Sequence, residues 1–247
     1  MKKLLGKTHR YLYLGSVLLC FSLVYPLLAY WSRSPQRHFT RIARTRKLIG
    51  WWSSALVGFF YRFEPEEPID WSKTYIICPN HTSYLDITAM VLMCPPNFSF
   101  MGKIELLNNP VTGLFFRTID IPVDRNSKVS SFKAFKRAQE RLVEGRSVVI
   151  FPEGFIGEEY PPRLYEFKNG PFKLAIEMGV PVIPVVIHDA WKLYWDEAKQ
   201  FGSRPGRTRI SVLKPIPTDA LEISDANALR DHVHAVMQKH WNSTNNL

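Results

Sequence analysis

Thr74-Tyr75-Ile76-Ile77-Cys78-Pro79-Asn80-His81-Thr82-Ser83-Tyr84-Leu85-Asp86 is the stretch that decides how this chain is read. Residues 74–78 form a short apolar run of the kind that makes a buried strand. Pro79 cannot donate to a sheet ladder and ends it. Thr82 or Ser83 is the expected N-cap of a following helix that carries Leu85, Ile87, Met90, Val91 and Leu92. Histidine is the side chain whose ordinary pKa lies near neutrality, so His81 can take and return a proton at working pH. An aspartate can hold one ring nitrogen and leave the other free to act as base. In a regular helix, positions five apart lie about 140° round the axis. His81 and Asp86 therefore meet only if His81 sits in the loop and Asp86 in the first helical turn. Strand, proline and cap supply that arrangement.

Outward from this stretch, strand-like and helix-like runs alternate. Residues 98–101, 119–123, 147–151, 181–187 and 209–213 read as strands from their apolar, β-branched content. Residues 130–144 read as a helix with Phe132, Phe135, Ala138 and Leu142 on one face, stopped by Gly145. Residues 171–178 form another helix that ends at Gly179, and residues 226–241 an amphipathic closing helix. Such alternation predicts a layered α/β domain with a largely parallel central sheet flanked by helices. Glu64-Pro65-Glu66-Glu67-Pro68 reads as a polar linker before it.

Charge is distributed unevenly. Residues 1–47 hold ten lysines and arginines and no acidic side chain, whereas the remaining 200 residues balance 22 basic against 22 acidic groups. A nucleic-acid binder carries its basic stripe on the folded domain beside the reading element. Here the whole excess flanks an apolar segment, the pattern of attraction to anionic headgroups, which excludes nucleic acid and points to membrane lipids as partners. Residues 11–31 lack any charge and are long enough to cross the ~30 Å core of a bilayer at 1.5 Å per residue. Tyr11, Tyr13, Tyr30 and Trp31 at its ends fit an aromatic belt. The run is too long for a cleaved signal and lacks a small-residue cleavage site. Pro26 leaves both a crossing and a re-entrant path open. Residues 42–63 read as a second, amphipathic segment, either interfacial or packed on the domain. Six of the ten charges follow the apolar run, which favours a cytoplasmic catalytic part, at the inner membrane if the source is bacterial. Cys20, Cys78 and Cys94 show neither paired spacing nor a metal pattern and suit a reducing compartment. Asn80-His81-Thr82 also matches a glycosylation acceptor, but a glycan there would cover the histidine, so that use is discarded.

Further along stand Gly102-Lys103-Ile104-Glu105-Leu106, then Ile121-Pro122-Val123-Asp124-Arg125, then Phe151-Pro152-Glu153-Gly154, then Gly179-Val180-Pro181-Val182-Ile183-Pro184-Val185. With Asn80 to Asp86, these blocks resemble the glycerolipid acyltransferase family, the 1-acyl-glycerol-3-phosphate acyltransferases and their relatives. With residues 102–125 counted as one block, four blocks in the family's order from residue 80 to residue 185 are far more specific than any one of them. The resemblance implies an O-acyltransferase of phospholipid biosynthesis. It would move a fatty acyl group from acyl-CoA or acyl carrier protein to a lysophosphatidic-acid-like acceptor, without cofactor or metal. It implies His81 and Asp86 as the catalytic pair. Asn80, Lys103, Arg125, Glu153 and Gly154 would bind substrate, with Glu153 on the acceptor's hydroxyls and Lys103 and Arg125 on its phosphate. Residues 1–63 are then expected to form a membrane-anchoring helical region and residues 64–247 the catalytic domain.

Two departures bear on the acceptor. The family usually continues F-P-E-G with T-R-S, where this chain has Phe155-Ile156-Gly157, so an arginine that helps hold phosphate is missing. Relatives also tend to carry a glycine where Ile119-Asp120 stand. The alternatives are the same chemistry on another lysolipid, a lysophospholipid or an amino-acid-containing one, and a non-catalytic lipid-binding protein of the same fold. No G-x-S-x-G nucleophile motif is present, so the chemistry needs no covalent intermediate.

Overall fold

The computed structural model describes residues 2–195 and 202–245. A seven-stranded sheet forms its centre, in the order β1-β7-β6-β2-β5-β3-β4. The strands are β1 (Phe59–Pro65), β2 (Ile76–Pro79), β3 (Phe98–Lys103), β4 (Ile121–Val123), β5 (Ser147–Ile150), β6 (Val182–Ile187) and β7 (Gly206–Val212). β6, β2, β5, β3 and β4 run parallel, and β7 meets β6 antiparallel with β1 parallel to it at the outer edge. The carboxyl ends of five strands therefore open on one rim, where sheets of this type place their ligands.

Helices cover both faces: α1 (Lys2–Trp31), α2 (Pro35–Ala55), α3 (Leu85–Met93), α4 (Thr112–Thr118), α5 (Lys128–Val143), α6 (Gly170–Met178), α7 (Ala190–Leu193) and α8 (Ala226–Asn245). The period of two along each strand assigns side chains to the two layers. Ile76, Cys78, Val148 and Ile150 join α5, α6 and α8, while Tyr75, Ile77 and Val149 join α3 and the inner face of α1. Strands buried on both sides explain the near-continuous apolar runs read from the sequence. Gly145 (φ 74°) and Gly179 (φ 60°) close α5 and α6, the left-handed stops that those glycines signalled.

The expected segment 42–63 is two elements. α2 ends at Ala55, and β1 then pairs with β7 in register Phe59↔Gly206 through Pro65↔Val212. The expected boundary after residue 63 falls inside β1, and the residues read as the start of a linker finish that strand. β1 lies at a sheet edge with alternating exposure, a pattern that an aromatic-rich run shares with an amphipathic helix. The N-cap of α3 is Tyr84 rather than Thr82 or Ser83. Ser83 Oγ accepts the Leu85 amide and donates to the Tyr194 carbonyl.

Candidate active site

β2 ends on Pro79 in the middle of the sheet, and the chain turns there into the loop that carries Asn80 and His81. Asn80 is fully buried; its amide donates to the Ile187 carbonyl at 3.1 Å and its oxygen accepts the Ile187 amide at 2.7 Å. This pairing ties the loop to the end of β6. His81 lies in the loop and Asp86 in the first turn of α3, with 3.2 Å between His81 Nδ1 and Asp86 Oδ2. The same Oδ2 accepts the amides of Thr82 (2.6 Å) and Ser83 (2.7 Å), so the aspartate's orientation is fixed. Burial pushes the Asp86 pKa up, and the hydrogen bonds from His81 and the two amides oppose that rise. With Nδ1 held, Nε2 is the ring nitrogen left to exchange a proton. The imidazole stacks on Phe151 at a centroid separation of 4.0 Å and an angle of 23°.

Phe151 to Gly154 follow β5 on the same rim. Glu153 is fully buried. Its Oε1 accepts the His81 amide at 2.7 Å and its Oε2 the Tyr165 amide at 2.9 Å. Both oxygens are thus engaged by backbone amides. Burial raises its pKa to about 8, against the pull of the two amides and with a further push from Asp86. Gly154 has φ 83°, a region that side chains rarely adopt, and its carbonyl accepts Arg125 Nη1. A Cβ at Gly154 would also lie 3.4 Å from Arg125 Nη1 and 3.9 Å from Lys168 Cγ. Gly154 is therefore the surface on which two cationic side chains rest.

Lys103 closes β3, and its register partner in β4 is Val123, two residues before Arg125. The two cations consequently emerge from adjacent strands at the rim that holds His81. Arg163 pairs with Glu159 at 2.8 Å and lies over the Tyr165 ring. Phe155, at the place of the family's threonine, packs on Tyr165 with centroids 4.9 Å apart and the rings tilted by 54°. Asp120, the other departure, is bidentate with Arg46 of α2 at 2.8 and 2.9 Å.

Sequence reasoning overlooked three of these relations. The Phe151 stack had a signal, since an aromatic opens the third block. The Arg46–Asp120 pair had a weaker one, a carboxylate where relatives keep glycine. The Tyr165 amide had none, because a backbone donor leaves no mark in side-chain identity.

A family model described as Acyltransferase matches residues 61–188, more than half of the chain. The chain belongs to the acyltransferase family. This acyltransferase is 32% identical over 187 residues to an uncharacterized acyltransferase of Schizosaccharomyces pombe, an alignment covering 75% of the chain and 66% of that protein. It is 30% identical to human 1-acyl-sn-glycerol-3-phosphate acyltransferase beta, over 82% of the chain and 73% of the relative. It is also 30% identical to the sheep alpha enzyme, over 72% of the chain and 59% of the relative. The chain thus spans less than two thirds of the yeast and sheep proteins' lengths. Its fold matches the crystal structure of the 1-acyl-sn-glycerophosphate (LPA) acyltransferase PlsC from Thermotoga maritima, with a TM-score of 0.75, 20% identity, and 98% and 97% of the two chains covered. The layered α/β architecture expected from the sequence is the one this acyltransferase has.

Proposed function

We propose that this acyltransferase moves a fatty acyl group from a thioester donor, acyl-CoA or acyl carrier protein, to the free hydroxyl of a lysophosphatidic-acid-like acceptor. The observation that supports this best is the His81–Asp86 pair at the carboxyl rim of the sheet, with Nδ1 engaged and Nε2 left over. Nε2 takes the acceptor's hydroxyl proton as the oxygen attacks the thioester carbonyl carbon. The tetrahedral adduct collapses by breaking the C–S bond, and the departing sulfur takes the proton back from the imidazolium. Asp86 holds the tautomer and stabilises the imidazolium while it exists. No enzyme side chain is acylated. Lys103 and Arg125 grip the acceptor phosphate, the guanidinium offering the fork that suits phosphate oxygens.

Attachment to lipid follows from the N-terminal helices. Among the described residues, Leu4–Trp31 is the one helix long and apolar enough to cross a membrane. One of its faces is committed to the protein over its whole length. His9 bonds Ser203 Oγ and the Val57 carbonyl, Tyr13 packs on Phe59 and Tyr194, Phe21 meets Phe115, and Leu28 is fully buried. The other face presents Leu12, Leu19 and Leu23, and the end of α2 presents Trp51 and Trp52. A helix fastened along the body in this way embeds its outer face in one leaflet instead of crossing, and its basic flanks favour the anionic cytoplasmic leaflet. Lifting a 16-carbon chain out of a bilayer costs on the order of 12 kcal/mol at ~0.8 per CH₂, so an enzyme of lysolipids belongs at the surface.

A different lysolipid acceptor is the second reading, and Ile156 favours it, because the place of the family's arginine carries an aliphatic side chain and supplies no third cation. Thiol release from acyl-CoA, measured across a panel of lysophosphatidic acid, zwitterionic lysophospholipids and amino-acid lysolipids, decides between the two. Turnover on lysophosphatidic acid above all others is the expected result. A better zwitterionic acceptor selects the second reading, and no release with any acceptor leaves the non-catalytic lipid binder.

A further inference from the structure

α5 carries two large apolar side chains that the core does not use: Val129 is 64% exposed and Phe132 70%. The sequence places Phe132 on the buried face with Phe135, Ala138 and Leu142. In the fold, Ala134, Ala138 and Leu142 face the sheet and Phe135 packs beside them. Phe132 precedes Ala134 by two residues, about 160° round the axis, so it points outward. Val129 stands three and four residues before Phe132 and Lys133, and Lys136 follows those two by four and three. The four therefore share one face, and all of them are exposed. Every charged side chain from residue 125 to residue 139 is basic: Arg125, Lys128, Lys133, Lys136 and Arg137. The first acid beyond them is Glu140.

The amino end of α5 stands at the catalytic rim, because the helix follows the carboxyl end of β4 and the Arg125 turn. α1 reaches the same rim from the other layer. Its Tyr13 packs on Tyr194 beyond the end of β6, and its Phe21 on Phe115 of α4, between β3 and β4. Lysines interleaved with exposed apolar side chains are the composition of an interfacial helix, whose cations meet anionic headgroups while the apolar groups sink below them. We propose that this face of α5 is a second lipid-contacting surface. Val129 and Phe132 enter the headgroup layer, and Lys128, Lys133 and Lys136 meet anionic lipid. This rests on the reading that α1 and α2 seat the protein on a membrane. Held from both layers, the rim faces the bilayer, and a lysolipid reaches Arg125 and His81 without leaving the headgroup region.

The test places an environment-sensitive fluorophore on Phe132→Cys in the full chain carrying Cys20→Ser, since Cys78 and Cys94 are buried. On vesicles of phosphatidylcholine and phosphatidylglycerol with brominated acyl tails, the probe should shift to the blue and lose emission. Bound protein with an unquenched probe would overturn the proposal and leave the membrane reading standing; protein that does not bind at all would end both. Shielding of the probe by acyl carrier protein, without quenching by lipid, would assign the face to that carrier and overturn the lipid occupant. Each basic residue near an anionic surface contributes about fivefold, so Lys128→Gln/Lys133→Gln/Lys136→Gln should lower affinity for these vesicles by roughly a hundredfold. On phosphatidylcholine alone it should stay within about threefold of wild type, and an equally small change on the anionic vesicles would overturn the proposal. His81→Ala in the labelled chain should be quenched like its parent, which separates this surface from the chemistry.

Discussion

Replacing Asp120 with Ala should destabilise the protein severely. Arg46 reaches from α2 to the Asp120 carboxylate with side-chain exposures of 7% and 2%, so both charges are out of water. The guanidinium also lies over Phe98 at 4.4 Å and Phe100 at 5.1 Å, and donates to the Phe98 carbonyl. Asp120 Oδ1 accepts the Phe100 amide at 2.9 Å as well. Removing the carboxylate strands a buried cation, which costs about 3–5 kcal/mol. The orphaned Phe100 amide adds at least ~1 kcal/mol. At roughly 2–4 °C per kcal/mol for a chain of this size, the melting temperature should fall by about 8–24 °C. The assay is thermal unfolding of the full chain in detergent, read by circular dichroism, for Asp120→Ala, Asp120→Asn and the double variant Arg46→Met/Asp120→Leu. The double variant removes both charges and should recover most of the loss, because apolar replacements of a buried pair are often neutral. A shift below about 3 °C for Asp120→Ala, or a double variant as unstable as the single one, would refute the reasoning.

The general base comes next: His81→Ala should lose ~10²–10⁴ in rate with folding and membrane binding intact, and normal turnover in the purified variant would end the mechanism. Asp86→Asn should be severely impaired because an amide supports the wrong tautomer, which full activity across the ordinary pH range would disprove. Arg125→Ala should weaken the use of a phosphate-bearing acceptor by about ten- to a hundredfold, on the ~1.5–3 kcal/mol scale of a charged hydrogen bond. Arg163→Ala should leave it unchanged, since Arg163 is occupied by Glu159, and the reverse pattern would reassign the clamp. Leu19→Glu/Leu23→Glu should detach the protein from vesicles, whereas high salt should not, because apolar burial survives screening. Complete salt extraction of the wild type would contradict the embedded face. Glu153 gives a pH prediction. Its folded pKa of about 8 exceeds the ordinary 4.5, so its contribution is complete below pH 4.5 and is lost as pH rises through 8. Relative to Glu153→Gln, the wild type should lose on the order of 5 kcal/mol between those limits, and a pH-independent difference in melting would falsify this.

The sequence by itself determined the layer order and the rim. Short apolar runs flanked by glycine and proline fix where strands stop, and the two-residue period fixes which layer each side chain joins. Ile76, Ile77 and Cys78 show this, buried alternately in the two layers. The spacing from His81 to Asp86 likewise allowed one meeting geometry, loop against first helical turn, and the two residues lie in that geometry. These features are local, and local sterics are written in neighbouring residues. Residues 59–65 were illegible because an aromatic-rich edge strand and an amphipathic helix carry similar patterns, and only pairing with β7 selects the strand. The positions of Asn80 and Glu153 were decided by tertiary structure alone. Both are polar residues in a site motif, and their partners in the fold are the amides of Ile187, His81 and Tyr165. Backbone donors are the same at every residue, so no sequence pattern announces which of them a buried carboxylate or carboxamide will meet. The lie of α1 was likewise open: its composition suits a crossing, and the packing of Tyr13, Phe21 and Leu28 against the body commits one face to protein. That commitment depends on contacts distant in sequence, which burial on folding creates and hydropathy does not encode.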